Sequence, residues 1–190
     1  MTVTHEPVAP RGPFTSEPLG GSVEDRLARL PEVVASLRRD DPTAERARVL
    51  QYDAVEAIRQ TGVLALRVPT EFGGPGGTVR EVLTAVIQIS RGSSNVGQAL
   101  RAHFGFSERL LSNRAIPGER TQWFPRVNAG LVVGNAITDA AGRAPSSADT
   151  KVLPDTAGVL RLNGYKFYST GTLFADIIAV SALDADGRDV

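Results

Sequence analysis

Apolar and polar positions alternate with two different periods along this chain, and the change falls near residue 130. Val23, Leu27, Leu30, Val34 and Leu37 recur at helical spacing behind Ser22 and Asp25, a capping-box pair. Pro31 inside that pattern predicts a kink or a break. Asp41-Pro42 reads as an N-cap followed by proline at the first helical position, which predicts a second helix starting there. That helix would carry Leu50, Ala54, Ala57 and Ile58 on one face and stop near Gly62. Thr78 and Glu81 form another capping box ahead of Val82, Leu83, Val86, Ile87 and Ile89, with Arg91-Gly92 as the stop. Residues 94–113 predict a further helix, although Gly97 and Gly105 each weaken it by about 1 kcal/mol against alanine. Glycines in such places admit close approach of another backbone or a ligand. Pro117 to Val127 reads as a short helix that closes the helical part.

From Leu131 the spacing changes to that of strands. LVVGNAITD is a buried-strand signal, and LRLNGYKFYSTG and ADIIAVSALDADG are strand-like runs with Asn-Gly and Asp-Gly turn dipeptides. Helices first and strands afterwards predict an α+β fold, with an N-terminal all-helical domain followed by an antiparallel β-domain. The Asp186-Gly187 turn should lead into a returning strand, and with only Val190 beyond Asp189 an unpaired sheet edge is expected, as in a fragment or a self-associating chain. The glycine-rich FGGPGG at 72–77 lacks the lysine and hydroxyl of a phosphate loop and reads as a tight surface turn.

Composition narrows the function classes. Of 190 residues, 42% are hydrophobic, and 21 basic residues balance 21 acidic ones. A binder of nucleic acid would show a basic excess or stripe, so none is expected as a partner. The absence of cysteine excludes disulfides, thiolate metal sites and cysteine nucleophiles, and two histidines, His5 and His103, are too few for a histidine metal site. No run is long and apolar enough for a membrane span, so no membrane partner is expected. The first 20 residues contain four prolines and no apolar core; they read as a flexible tail, not a secretory signal, and a cytoplasmic location is expected.

The candidate chemistry is sparse. His103 sits between apolar stretches in RAHFGF, either as a buried histidine satisfied by a backbone carbonyl or as a donor aimed into an apolar cleft. Asn135, inside an apolar strand, is either structural glue or a pocket donor. Tyr168, Ser169, Thr170 and Gly171 place three hydroxyls at a strand end, an ordinary composition for a strand-to-turn junction. Together with Asn135 and Thr138 they could form a small donor and acceptor cluster suited to a heteroaromatic ring. Asp139 and Asp149 read as solvated loop acids.

Three separated segments resemble the acyl-CoA dehydrogenase superfamily, in the same order. GVLALRVPTEFGGPGG at 62–77 is similar to its P-x-E-[FY]-G-G-x-G stretch, and LVVGNAITD to its first middle-domain strand. LNGYKFYSTGTLFADIIAV at 162–180 is similar to its L-N-G-x-K strand and the flavin-side segment that follows. The resemblance covers residues 22–190 and implies a flexible tail at 1–21, a helical domain at 22–129 and an incomplete middle β-domain at 130–190. It stops before the family's C-terminal helical bundle, which carries the dehydrogenase base. Lys166 to Asp176 and Ala99 to Phe104 look more like the flavin-dependent monooxygenase branch, similar to dibenzothiophene and sulfone monooxygenases. The dehydrogenase pattern T-E-P-x-A-G-S-D is broken at Thr138 to Pro145, where the flavin-side serine falls on Ala144.

The resemblance implies a flavin cofactor, FMN in preference to FAD, with Asn135, Ile137 and Thr138 at one edge of its ring and Tyr168, Ser169 and Thr170 at the other. It places His103 on a helix facing the pocket, and makes His103, Asn135 and Ser169 the candidate catalytic residues. It implies a two-component monooxygenase that uses reduced flavin from a separate flavin reductase and O2 on a sulfur or aromatic small-molecule substrate. A homo-oligomer is expected. The alternatives are an acyl-CoA dehydrogenase acting on an acyl thioester and a truncated, non-catalytic chain.

Overall fold

A computed structural model describes residues 19–139 and 150–190. Six α-helices come first: α1 (Val23–Ala28), α2 (Leu30–Ala47), α3 (Tyr52–Thr61), α4 (Val79–Gly92), α5 (Ser94–Leu111) and α6 (Glu119–Asn128). The strands follow: β1 (Val133–Ala136), β2 (Thr138–Asp139), β3 (Lys151–Pro154), β4 (Leu160–Asn163), β5 (Lys166–Phe167) and β6 (Ile177–Val180). The fold is α+β, helices then strands, as the change of period predicts. No helix among the described residues is long and apolar enough to cross a membrane.

Caps set most helix boundaries where the sequence puts them. Ser22 and Thr78 each close a capping box, with Asp25 and Glu81 respectively, satisfying donors that the first turn leaves free. Pro31 falls in the first turn of α2, and Arg29 marks a break between α1 and α2. Gly62 ends α3 at φ +80°, in the left-handed region.

The second helix start differs from the expectation. Pro42 lies inside α2, which runs on until Arg48 adopts φ +54°. One missing backbone donor is outweighed by the packing of the α2 face, whose Leu30 and Leu37 are buried in a cluster with Val82, Ala85 and Ile89 of α4 and Leu100 of α5. The next helix, α3, starts behind Gln51 without a side-chain cap, and Leu50 lies outside it. A second apolar cluster joins Val68, Phe106, Leu110, Phe124 and Val127 to Leu131 and Val133 at the entry to β1.

The strands pair as β1–β6, β2–β5 and β3–β4. The last two pairs are antiparallel, as expected, but β1–β6 is parallel, with Val133 opposite Ile177 and Ala136 opposite Val180. The Asp176 amide donates to the Val132 carbonyl at 2.9 Å and its carboxylate accepts from the Val132 amide at 2.8 Å, so the two strands start side by side. Asn163-Gly164 does not close a hairpin, because β4 pairs back with β3 and β5 with β2. The β3–β4 turn is instead built on Asp155, whose carboxylate accepts from Ala157 and Val159 at 2.9 and 3.0 Å. Strand β3, KVLP, is short and ends in proline, so no strand pattern marks it in the sequence.

The Asp186-Gly187 turn does close. Ala182 and Val190 exchange both backbone hydrogen bonds, at 3.1 and 2.8 Å, so the last two residues form the return that the sequence reading judged too short. Most of the expected 1–21 tail, and the Ala140 to Pro145 and Asp149 expectations, lie outside the described residues.

Candidate functional site

The helices and strands are joined by a buried polar junction. Arg59 on α3 donates to the Gly130 carbonyl at 2.9 Å and pairs bidentately with Asp176 at 2.8 and 3.3 Å, with Glu56 3.1 Å from its Nε. Arg59 is 5% exposed and Asp176 10%, so the pair is largely removed from water.

His103 stands beside this junction, fully buried on α5. Its Nε2 lies 2.8 Å from the Leu64 carbonyl, which can only accept, so this nitrogen carries the proton. Its Nδ1 then accepts from the Val133 amide at 3.3 Å. Burial pushes its pKa down to about 4, opposed by the hydrogen bond to Leu64, with Arg59 adding to the fall and Asp176 opposing it. Both ring nitrogens are used and neither reaches a cleft. The expectation of His103 as a catalytic donor is therefore corrected: it is a neutral core histidine that ties α5 to the start of β1.

Next to it, α5 and the ends of β1 and β6 enclose a cleft of about 230 Å³. Ala102, Gly105 and Phe106 supply the helical wall, and Asn135, Ile137 and Ala179 the strand wall. Arg101 and Arg109 also line it; with Gly105 they recur every four residues and so share one face of α5. That four-residue spacing is visible in the sequence itself.

Asn135 is half-buried, and its carboxamide has no hydrogen-bond partner among the described residues, while its backbone amide donates to the Thr170 carbonyl at 3.0 Å. Ile137 is 54% exposed, and its carbonyl accepts from Lys166 Nζ and Ser181 Oγ, each at 3.2 Å, which fixes the corner between β1 and β2. Thr138 pairs opposite Phe167. Tyr168 follows at φ +57° with its ring exposed, Ser169 is exposed, and Thr170 Oγ1 donates to the Tyr168 carbonyl at 3.4 Å.

Strand pairing thus brings Asn135, Ile137, Thr138 and the 168–170 turn onto one edge, while His103 faces the other way, into the core. The turn is held from behind. Gly171 sits at φ +73° with no room for a Cβ against the Ala99 carbonyl of α5, and a Cβ on Gly134 would lie 2.9 Å from Thr172 Cα. The edge presents exposed apolar side chains, the hydroxyls of Thr138, Tyr168, Ser169 and Thr170, and one carboxamide without a partner among the described residues. This donor and apolar set fits a flat heteroaromatic ring.

Comparison with known proteins agrees with this architecture. The acyl-CoA dehydrogenase, N-terminal domain family matches residues 31–130. Probable acyl-CoA dehydrogenase FadE10 of Mycobacterium tuberculosis is 25% identical over 175 residues, covering 90% of this chain and 26% of that protein. Probable FMNH2-dependent monooxygenase SfnC of Pseudomonas putida is 25% identical over 158 residues, covering 78% and 35%. The crystal structure of TdsC from Paenibacillus sp. A11-2 with FMN and indole superposes with a TM-score of 0.73 at 25% identity, over 86% of this chain and 41% of that one.

Helices followed by paired strands, matching these relatives over most of the chain, make an acyl-CoA dehydrogenase-like fold. The chain belongs to the acyl-CoA dehydrogenase N-terminal domain family. It spans about a quarter to two fifths of the length of the relatives above.

Proposed function

We propose that the chain forms part of a flavin-dependent oxidoreductase, a two-component monooxygenase acting on a sulfur or aromatic carbon atom of a small molecule. The observation that carries this reading is the Asn135 carboxamide, without a partner among the described residues, at the mouth of an apolar cleft and on the same edge as Ile137, Thr138 and the 168–170 hydroxyls. The FMN complex of TdsC and the name of SfnC support FMN over FAD.

Reduced flavin would supply two electrons, so that one oxygen atom of O2 enters the substrate and the other leaves as water. This chain's residues would do the rest. Ile137 and Tyr168 would flank the ring, and Thr138 and Thr170 would hydrogen-bond its edges. The Asn135 amide and the Ser169 hydroxyl donate to developing negative charge, while Phe106 and Ala179 keep water out of the cleft. His103 takes no proton; it holds β1 in place. Reduced flavin would come from a separate reductase, and the exposed Leu160 and Leu162 of β4 favour self-association.

Titration of the purified chain with FMN and FAD, oxidised and anaerobically reduced, tests the reading through flavin fluorescence. Saturable binding, tightest for reduced FMN, is expected. Asn135→Ala and Ser169→Ala should each weaken it about tenfold, the value of one hydrogen bond to a charged group, with unchanged far-UV CD. No binding of either flavin by a folded chain would end the proposal. The likeness to FadE10 favours a second reading, acyl-CoA dehydrogenation. It requires that an acyl-CoA bleach the chain's bound oxidised FAD without oxygen.

A further inference from the structure

The cleft beside α5 has walls of two kinds. Ala102, Phe106, Ile137 and Ala179 make it apolar, and Gly105 leaves its middle open, since a Cβ built there meets nothing within 4 Å. The two guanidinium groups on the same helix face are not equivalent. Arg109 is gripped by both carboxylate oxygens of Glu119, at 2.9 and 2.6 Å, and that pairing raises its pKa while lowering that of Glu119. Its charge is spent inside the fold. Arg101 has no carboxylate partner among the described residues; it is exposed, and its Nη2 reaches only the Thr170 hydroxyl, at a long 3.5 Å.

We propose that the cleft takes a substrate with a flat aromatic body and one carboxylate, anchored by Arg101 and hydrogen-bonded by the Asn135 carboxamide. The inference rests on the reading above for the reaction only; that the cleft takes the substrate, beside the same Asn135 and Ile137 that border the flavin edge, is assigned here. A guanidinium without a counter-ion at the rim of an apolar cleft matches a carboxylate in geometry and charge, since its fork donates two parallel hydrogen bonds to the two oxygens. A neutral ring would fill the cleft and leave Arg101 unused, and a cationic one would be repelled. Arg109 does not compete for the carboxylate, because Glu119 already occupies it.

Equilibrium dialysis of the purified chain with 2-naphthoate and with the isosteric neutral 2-naphthamide tests this directly. The acid should bind about tenfold more tightly, the low end for a charge-assisted pair at a solvent-exposed position. Arg101→Gln should erase the difference and leave the amide's affinity unchanged. Gly105→Leu should abolish binding of both while leaving the melting temperature no lower than the parent's, because it fills the open middle of the cleft and removes a helix-weakening glycine. Equal affinity for acid and amide, or a preference that survives Arg101→Gln, would overturn the proposal. The flavin titration reads separately: a chain that binds FMN but not naphthoate loses this inference alone. One that binds naphthoate through Arg101 but no flavin loses the flavin reading alone.

Discussion

At the scale of single residues, His103 shows how burial decides chemistry. A histidine in an aromatic stretch of helix can be a donor or a core residue, and the sequence holds nothing to choose between them. The structure chooses because the Leu64 carbonyl and the Val133 amide both need partners in a dry interior, and one neutral imidazole satisfies both. The consequence is a pH dependence. The unfolded chain protonates this ring near the ordinary histidine value, about 6.5, while the folded chain does so only near about 4. The unfolded state therefore binds the extra proton first as pH falls. The stabilisation is complete above about pH 6.5 and is lost progressively down to about pH 4, a difference on the order of 3 kcal/mol. Urea denaturation across that range should show the decline. His103→Leu should lower stability by about 2 to 4 kcal/mol at pH 7.5, leaving two buried backbone groups unpaired, and should flatten the profile between pH 6.5 and 4. A profile as steep in the variant as in the parent would place the titration elsewhere. Asp25, Glu81, Glu119 and Asp155 act at the acid end, because hydrogen bonds hold their pKa values below the ordinary carboxylate values and their stabilisation is lost as pH falls past those values, not at about pH 6.

At the scale of elements, α5 has three distinct sides, and glycine marks two of them. Gly97 lets the helix lie against Ser90 of α4, where a Cβ would collide with the Ser90 hydroxyl, while Gly105 opens onto the cleft. The sequence reading anticipated that these glycines admit a backbone or a ligand. Which glycine does which depends on what packs opposite. The turn bearing Tyr168, Ser169 and Thr170 is set by the third side, where Gly171 abuts the Ala99 carbonyl at φ +73°. Gly171→Ala should cost about 1 to 3 kcal/mol from the positive φ alone, and more from the clash. It should also displace the 168–170 hydroxyls, so that flavin affinity falls with melting temperature. An alanine variant with parental stability and flavin binding would show that this backbone contact does not position the turn.

At the scale of the whole molecule, the Arg59–Asp176 pair carries the connection between helices and strands. Asp176 also accepts from the Val132 amide, so one carboxylate sets both the parallel start of β6 and the seat of α3. Asp176→Ala removes the carboxylate that faces buried Arg59 and accepts from the Val132 amide, and should destabilise by about 3 kcal/mol. Replacing both partners with apolar residues, Arg59→Met with Asp176→Leu, should recover a large share of that loss. A double variant no more stable than the single one would show that the pair's hydrogen bonds to Gly130 and Val132, not its charge balance, hold the junction.

Much of this architecture was open to reading from local signals. Capping boxes at Ser22 and Thr78, the αL stop at Gly62, the glycines of α5 and the change of period near Leu131 are consequences of neighbouring residues, and each appears where the pattern predicts it. Local signals failed where a distant contact outweighed them. The Asp41-Pro42 start lost to continuous packing of α2, and the antiparallel expectation for β1 and β6 lost to Asp176 gripping Val132. The candidate edge of Asn135, Thr138 and the 168–170 turn was legible as residues, because hydroxyls and carboxamides in apolar strands stand out. Their convergence was not, since strand register is set by pairing partners far apart in the chain. The pairing of Arg109 with Glu119, the isolation of Arg101 and the burial of His103 likewise belong to tertiary structure alone: whether a polar group is spent or free depends on what the fold places opposite it.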